Sequence, residues 1–347
     1  MRAVYLDNCA AAFPKAPGVG EAMCRAVLRP DTPETGPEAV GETLLALANA
    51  PAGSLLRFTP GLDWGLERLL SGLLQPGDKI LASPMGRGST LRVLSGLPGI
   101  TVELLPCTDR GELKLDGLAE KLAAPVRAVV LSHACPVCGT VQPLEAVGLL
   151  CRKRGILFLV DAGQALGVLP VDLAAQAIDG LAFWGHTGLL GPEGVSGLAL
   201  SPRLTGAADL LETEEPANLP GIAGLGAALN YLAEMGAPLR TRLEQLSRHL
   251  WARLMELDGA GLRVLGSPTP RGRPGVVSVV CTARPNAELA RLLEGRYGIR
   301  CAWGLLGSPL ACRTLGCGEQ GVVRFSVGPF TTFGQIDYLE GALETLL

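Results

Sequence analysis

The sequence predicts an α/β fold, built on a doubly wound and mostly parallel sheet, together with a second and smaller α+β domain. Strand-like and helix-like segments alternate through the middle of the 347-residue chain. Two of the strand-like segments, over 127–134 and 156–162, are mostly apolar runs, as expected for strands covered by helices on both faces. A hydrophobic content of 48% supports a sizeable buried core, and the length suits one large domain and a smaller one. We expect the large domain over residues 15–235 and the small domain over 236–347 with 1–14.

Each predicted element has a local signal. Apolar residues at helical spacing, closed by a Gly or Pro turn, mark the helices, and short apolar runs between turns mark the strands. In the large domain we predict helices over 63–74, 89–97, 143–155 and 218–235, and strands over 80–83, 101–106, 127–134, 156–162, 180–184 and 195–201. In the small domain we predict helices over 243–257 and 333–347, and strands over 275–281 and 322–327.

Charge and hydropathy exclude several classes of function. Lys and Arg number 30 against 33 Asp and Glu, and no basic stripe is present, so a nucleic-acid partner is not expected. The longest apolar runs, such as Ile156–Val160, are far too short to span a membrane. The N-terminus carries no hydrophobic signal segment. We therefore expect a cytoplasmic protein without a membrane partner.

Four motifs occur in a specific order: "YLDNCAAAFPKAP", "VDAGQALGVLPVDL", "GHTGLLGPEGVSGLAL" and "PLACRTLG" with "GVVRFSVGPF". Together they resemble the class V aminotransferase family, closest to its cysteine-desulfurase-like branch. The resemblance covers nearly the whole chain. It implies a fold-type-I PLP-transferase-like subunit that works as a homodimer and holds pyridoxal phosphate (PLP) between its domains.

The resemblance assigns roles to four residues. Asp161 matches the aspartate that pairs with the pyridinium nitrogen, and Gln164 matches a residue near the ring oxygen. His186 matches the histidine before the family's lysine, and Arg324 matches the arginine that binds a substrate carboxylate. Structural roles are also open: Asp161 as a turn cap, His186 as a core residue, and Arg324 as the partner of Asp63 or another acid.

The sequence departs from the family at several positions of the same site. Thr187 stands at the lysine position, so no imine with PLP can form there. Asp63 lies in the turn that is Ser/Thr-rich in the family and binds the phosphate, where a carboxylate repels that dianion. The other departures are Trp184 for a small hydroxyl residue, Arg87 for the ring-stacking histidine, Pro136 for a donor asparagine, Gly307 for the sulfur-accepting cysteine, and a short connection before residue 218.

These departures predict a degenerate PLP site. PLP is expected from the family but is predicted not to be bound covalently, and Arg87 is either a surface residue or fills the space of the ring. We interpret the chain as a pseudoenzyme with a binding, partner or thiol- or metal-handling role, as a homodimer or a heterodimer with a homologue. The alternative is a PLP-dependent aminotransferase or cysteine desulfurase-type lyase that acts on a small amino acid. The sequence leaves open whether the chain is an enzyme.

The cysteines suggest a further possibility. Cys135 and Cys138 form a Cys-x-x-Cys motif after a predicted strand, and Cys9 and Cys312 lie in motifs that face the same site in the family. Four such thiols are a ligand set for zinc or an iron–sulfur cluster. A redox dithiol and simple packing thiols are the other two interpretations.

Overall fold

The computed structural model describes residues 3–29, 36–123, 125–213, 218–267 and 272–347. The helices are α1 (Val19–Leu28), α2 (Pro37–Leu47), α3 (Leu62–Leu73), α4 (Gly88–Gly96), α5 (Leu118–Lys121), α6 (Leu144–Lys153), α7 (Leu219–Glu256), α8 (Asn286–Tyr297), α9 (Pro309–Thr314) and α10 (Phe333–Leu346). The strands are β1 (Val4–Tyr5), β2 (Leu55–Thr59), β3 (Lys79–Ala82), β4 (Thr101–Leu104), β5 (Ala128–Ser132), β6 (Leu157–Asp161), β7 (Gly180–Trp184), β8 (Ser196–Leu200), β9 (Leu262–Leu265), β10 (Val276–Cys281), β11 (Ile299–Arg300), β12 (Ala302–Gly304) and β13 (Val322–Ser326).

A seven-stranded sheet forms the large part of the molecule, in the order β2-β8-β7-β6-β5-β3-β4. Strands β7, β6, β5, β3 and β4 pair in parallel, and β8 is antiparallel to both of its neighbours. Every residue of β5, β6 and β8 is buried, because helices cover both faces of the sheet. This confirms the predicted fold class and explains why these strands are apolar runs without alternation.

The second sheet is four-stranded and antiparallel, in the order β12-β13-β10-β9. It has its own apolar core, to which α7, α8 and α10 contribute. The N-terminal strand β1 pairs in parallel with β11 beside this sheet. Helix α10 begins with a capping box between Thr332 and Gln335.

Helix α7 joins two segments, over 218–235 and 243–257, that the sequence predicts as separate helices, the first of them able to bridge to the second domain. It runs unbroken for 38 residues, through Pro238 and across the predicted domain boundary at 235/236. Proline removes one backbone hydrogen bond inside a helix. Here the helix packs against α1 and α2 in one half and α10 in the other, and the Asn218 side chain accepts from Gly221 N at its start. Packing on both sides thus outweighs the local cost of the proline.

In the described part of the chain, no helix combines the length and the apolar character that crossing a membrane requires.

Candidate functional site

Several of the predicted site residues lie where the parallel strands of the large sheet end. Asp161 is the last residue of β6, Trp184 is the last of β7, and Cys135 follows β5 by three residues. Arg87 immediately precedes α4, in the connection that leaves β3. The carboxyl edge of such a sheet is the usual place for a ligand in this class of fold.

The Arg87 guanidinium lies at the centre of this site, between two carboxylates. Its Nε donates to Asp161 Oδ2 at 3.1 Å and its Nη2 donates to Asp63 Oδ1 at 2.7 Å. Thr90 Oγ1 donates to the same Asp63 oxygen at 3.1 Å. We call Asp63, Arg87 and Asp161 the ionic cluster. Of the two interpretations of Arg87, the structure favours the interior one, because its side chain is only 14% exposed.

Two aromatic rings form one wall of the ionic cluster. The Arg87 guanidinium carbon lies 4.2 Å from the centre of the Trp184 ring, a cation–π contact. The Trp184 ring is in turn stacked on the His186 imidazole, with centroids 4.8 Å apart. Burial, with nearby Lys15, lowers the pKa of His186 to about 4, so the imidazole is neutral at pH 7. His186 Nδ1 is buried without a hydrogen-bond partner, which distinguishes it from a fully satisfied core histidine.

Asp161, Gln164 and Thr187 all bond to the protein itself. Asp161 Oδ1 accepts from Gly163 N at 2.9 Å, so this aspartate caps the following turn in addition to pairing with Arg87. Thr187 is buried and its hydroxyl donates to Gly163 O at 2.5 Å. The Gln164 amide donates to Cys9 O at 3.0 Å. These contacts join the connections after β6 and β7 to the N-terminal segment.

Arg324 lies in a separate contact from the ionic cluster. It donates to Asp7 Oδ1 at 2.8 Å and to Pro136 O at 3.0 Å. Of the two acids left open for Arg324, Asp63 is bound by Arg87, and the other acid, which Arg324 contacts, is Asp7. The Arg324–Asp7 pair connects β13 of the small sheet to the N-terminal segment.

The segment around Gly307 packs directly against the start of α4. Gly88 N donates to Gly307 O at 2.9 Å. A Cβ placed on Gly88 would lie 2.3 Å from that oxygen, so the close approach requires glycine at this position. The connection before residue 218, which the sequence predicts to be shorter than in the family, includes residues 214–217. These residues lie outside the described residues.

Lys15 is a site residue that sequence reasoning missed. Its Nζ donates to His186 O at 3.2 Å and lies 4.0 Å from Glu193. Burial lowers the pKa of this amine. In the sequence, Lys15 lies in the first motif, three positions after the run of alanines, and this position could have pointed to it. Only the fold shows that the loop carrying Lys15 lies beside Thr187.

The cysteines do not assemble as the predicted four-ligand metal site. All ten lie within the described residues, and among those residues no three His, Cys, Asp or Glu side chains form a group that could hold a metal ion. Cys9 Sγ instead donates to Pro136 O at 3.5 Å, and Cys312 interacts with Cys317. Cys135 and Cys138 do lie together, as an adjacent and fully buried pair. The described residues therefore do not bring the four thiols together as one ligand set, and the dithiol and packing interpretations of the cysteines stay predictions.

Comparison with known families agrees with the fold and the motifs. The family model of aminotransferase class V matches residues 38–339, most of the chain. The chain belongs to this family.

The relatives include several cysteine desulfurases. The chain is 29% identical over 255 residues to cysteine desulfurase IscS of Serratia proteamaculans, and 33% identical over 267 residues to a probable cysteine desulfurase of Aeropyrum pernix. These matches cover 69% and 68% of this chain but only 62% and 64% of the two relatives. The apo structure of cysteine desulfurase from Thermococcus onnurineus superposes with a TM-score of 0.85 at 23% identity, over 99% of this chain and 94% of that one. That likeness establishes the common fold.

Proposed function

We propose that this chain is a non-catalytic member of the class V family, in which the ionic cluster replaces the cofactor, and that it works as a dimer-forming subunit. The observation that carries the proposal is the position of Arg87. Its planar cation lies on Trp184 and pairs with Asp161, the residue that the resemblance assigns to the pyridinium nitrogen. A guanidinium in this place satisfies the aspartate without any ligand.

The residues of the site do not suit PLP. The aspartate that should hold the ring nitrogen is already paired with Arg87. Asp63 adds a second carboxylate in the first turn of α3, the kind of helix start where a phosphate would bind. Two carboxylates around one guanidinium leave the ionic cluster with a net negative charge, which repels a phosphate dianion. Thr187 has no amine, and its hydroxyl is bonded to Gly163 O.

The test is PLP binding by the purified protein. The wild type is incubated with excess PLP, treated with borohydride, desalted and mapped by mass spectrometry. We expect no stoichiometric pyridoxyl adduct. We also expect none for Thr187→Lys alone, because the new amine faces a filled site. A variant that also carries Asp63→Thr, Arg87→His and Trp184→Ser removes the filling groups, and this variant should gain the adduct on residue 187. A stoichiometric adduct in the wild type would overturn the proposal.

The alternative, a PLP-dependent aminotransferase or cysteine desulfurase-type lyase, has one specific observation in its favour. Lys15 places an amine of lowered pKa beside His186, next to the position where the family has its lysine. The same mass-spectrometric map separates the two functions. An adduct on Lys15 that disappears in Lys15→Met supports the alternative, and its absence supports the non-catalytic function.

The dimer part of the proposal rests on the family and on exposed apolar side chains. Val27 and Leu28 at the end of α1 are 67% and 79% exposed, and Phe13 is 64% exposed. Such side chains are common at subunit interfaces. The partner is a second copy or a homologous chain. Light scattering at micromolar concentration should give twice the chain mass of 36.0 kDa for the protein alone, and a stable monomer that also fails to bind any homologue would refute this part.

A further inference from the structure

The Cys135–Cys138 loop has the geometry of a dithiol site. The turn is closed by hydrogen bonds from Gly139 N to Cys135 O and from Cys135 N to Thr140 O, both at 2.9 Å. The two thiols interact with each other, and the Cys138 sulfur lies 3.2 Å from Thr140 Oγ1. Two cysteines three positions apart in a tight turn bring their side chains within reach of a disulfide.

The loop is held by the small domain through its backbone. Three successive carbonyls accept hydrogen bonds from small-domain side chains: Pro136 O from Arg324 at 3.0 Å, Val137 O from Ser278, and Cys138 O from Arg273 at 2.6 Å. Neither cysteine has any exposed surface. A disulfide on another protein therefore cannot reach these thiols. A small disulfide needs only a local opening between the loop and the small sheet.

A second thiol pair lies in the same apolar cluster. Cys312 and Cys317 are buried there on the small-domain side and interact with each other. Their segment is closed by a hydrogen bond from Cys317 N to Cys312 O at 2.9 Å. Because both pairs share one environment, the second pair is an internal comparison for the first.

We infer that Cys135 and Cys138 form a reversible disulfide by exchange with a low-molecular-weight disulfide. Cys138 thiolate attacks one sulfur of the small disulfide, whose S–S bond breaks and releases one thiolate that takes a proton. Cys135 then attacks the mixed disulfide at Cys138 and releases the second thiol. The two cysteines lose two electrons in total, and the small disulfide becomes two thiols. This site is independent of the proposed loss of PLP chemistry.

The order of attack follows from the environment of each sulfur. The hydrogen bond from Cys135 lowers the pKa of Cys138 to about 7, with Thr140 and Arg273 acting in the same direction. Burial raises the pKa of Cys135. A thiol with a pKa near the ambient pH is the most effective attacking group in exchange. Cys138 is thus the attacking thiol and Cys135 the resolving one.

The experiment uses the full wild-type chain under native conditions. The reduced protein is incubated with hydroxyethyl disulfide at pH 7.5, free thiols are alkylated, and peptides are mapped by mass spectrometry. We expect an intrachain Cys135–Cys138 disulfide that dithiothreitol reverses, while the exposed Cys24 carries only the mixed disulfide. Absence of the Cys135–Cys138 disulfide, or formation of a Cys312–Cys317 disulfide in its place, would overturn the inference.

Two variants test the order of attack. In Cys135→Ser the mixed disulfide should accumulate on Cys138, because no resolving thiol is present. In Cys138→Ser the adduct on Cys135 should form at least about tenfold more slowly, since few of its thiols are ionised at pH 7.5. Equal adduct rates in the two variants, measured against Cys24 in the same sample, would assign no special role to Cys138.

Discussion

Replacing Arg87 with alanine tests the ionic cluster most directly, because it removes the cation that contacts both Asp63 and Asp161. The Asp161 side chain is only 4% exposed and lies 3.1 Å from Arg87 Nε. Removing one partner of a buried ion pair costs about 3–5 kcal/mol, because the other charge stays buried without compensation. Asp63 is 30% exposed, so its share is about 0–1 kcal/mol. We expect Arg87→Ala to lower the free energy of unfolding by about 3–5 kcal/mol.

Urea unfolding followed by circular dichroism measures this loss. Arg87→Ala combined with Asp161→Asn should recover about half of it or more, because a neutral amide needs no counter-charge and its oxygen still accepts from Gly163 N. The matched control is Arg92→Ala, an exposed arginine on the same helix, with an expected change within about 0.5 kcal/mol. A loss below about 1 kcal/mol for Arg87→Ala, or an equal loss for Arg92→Ala, would show that the ionic cluster does not hold this site together.

Three further outcomes follow from particular contacts. Burial lowers the pKa of His133 to about 4 from about 6.5 in the unfolded chain. The contribution of the neutral imidazole to the free energy of unfolding is therefore complete above pH 6.5 and is lost as the pH falls towards 4. His133→Gln should remove roughly 3 kcal/mol of that loss at acid pH, and an unchanged dependence of stability on pH would contradict this. Gly88→Ala should cost about 1–3 kcal/mol in urea unfolding because its Cβ meets Gly307 O at 2.3 Å, whereas Gly96→Ala, with open space around its Cβ, should not destabilise. Gly307→Cys should fold with a free energy of unfolding lower by about 1–2 kcal/mol, since residue 307 has φ of +66°. With added PLP this variant should release no sulfide from cysteine, and sulfide release would argue for the catalytic alternative.

The large sheet was predictable because its strands are buried on both faces. A run such as the one over β5 contains no polar residue before Ser132, so burial leaves a clear mark in the sequence. The edge strand β2 was not predicted, since its residues are mostly half-buried and include Arg57. Helix α7 was predicted as two helices because Pro238 is a local signal, while the packing that keeps it whole is a property of the fold.

The sequence predicted which residues lie in the candidate site, but not which ion pairs and hydrogen bonds they form. The motifs named Asp63, Arg87 and Asp161 as neighbours of one site. Arg87 is 24 residues from Asp63 and 74 from Asp161, so no spacing rule indicates that one guanidinium contacts both carboxylates. The same limit applies to Arg324, whose partner Asp7 is 317 residues away. The sequence identifies the charged residues of the site, but only the fold shows which of them are in contact.

Under the proposed function, the charges of the ionic cluster explain how the site stays closed without a cofactor. Asp63 lies in the first turn of α3, where the helix N-terminus favours an anion. Arg87 lies beside Asp161, where the resemblance places a protonated ring nitrogen. A side-chain anion and a side-chain cation thus stand where the phosphate and the ring of PLP would bring the same two charges. Arg87 pairs with the buried Asp161, and Asp63 accepts from both Arg87 and Thr90, so two acids hold this cation in place. For this reason the lysine position cannot be considered by itself: an amine at residue 187 meets a site in which Asp161 is already paired with Arg87.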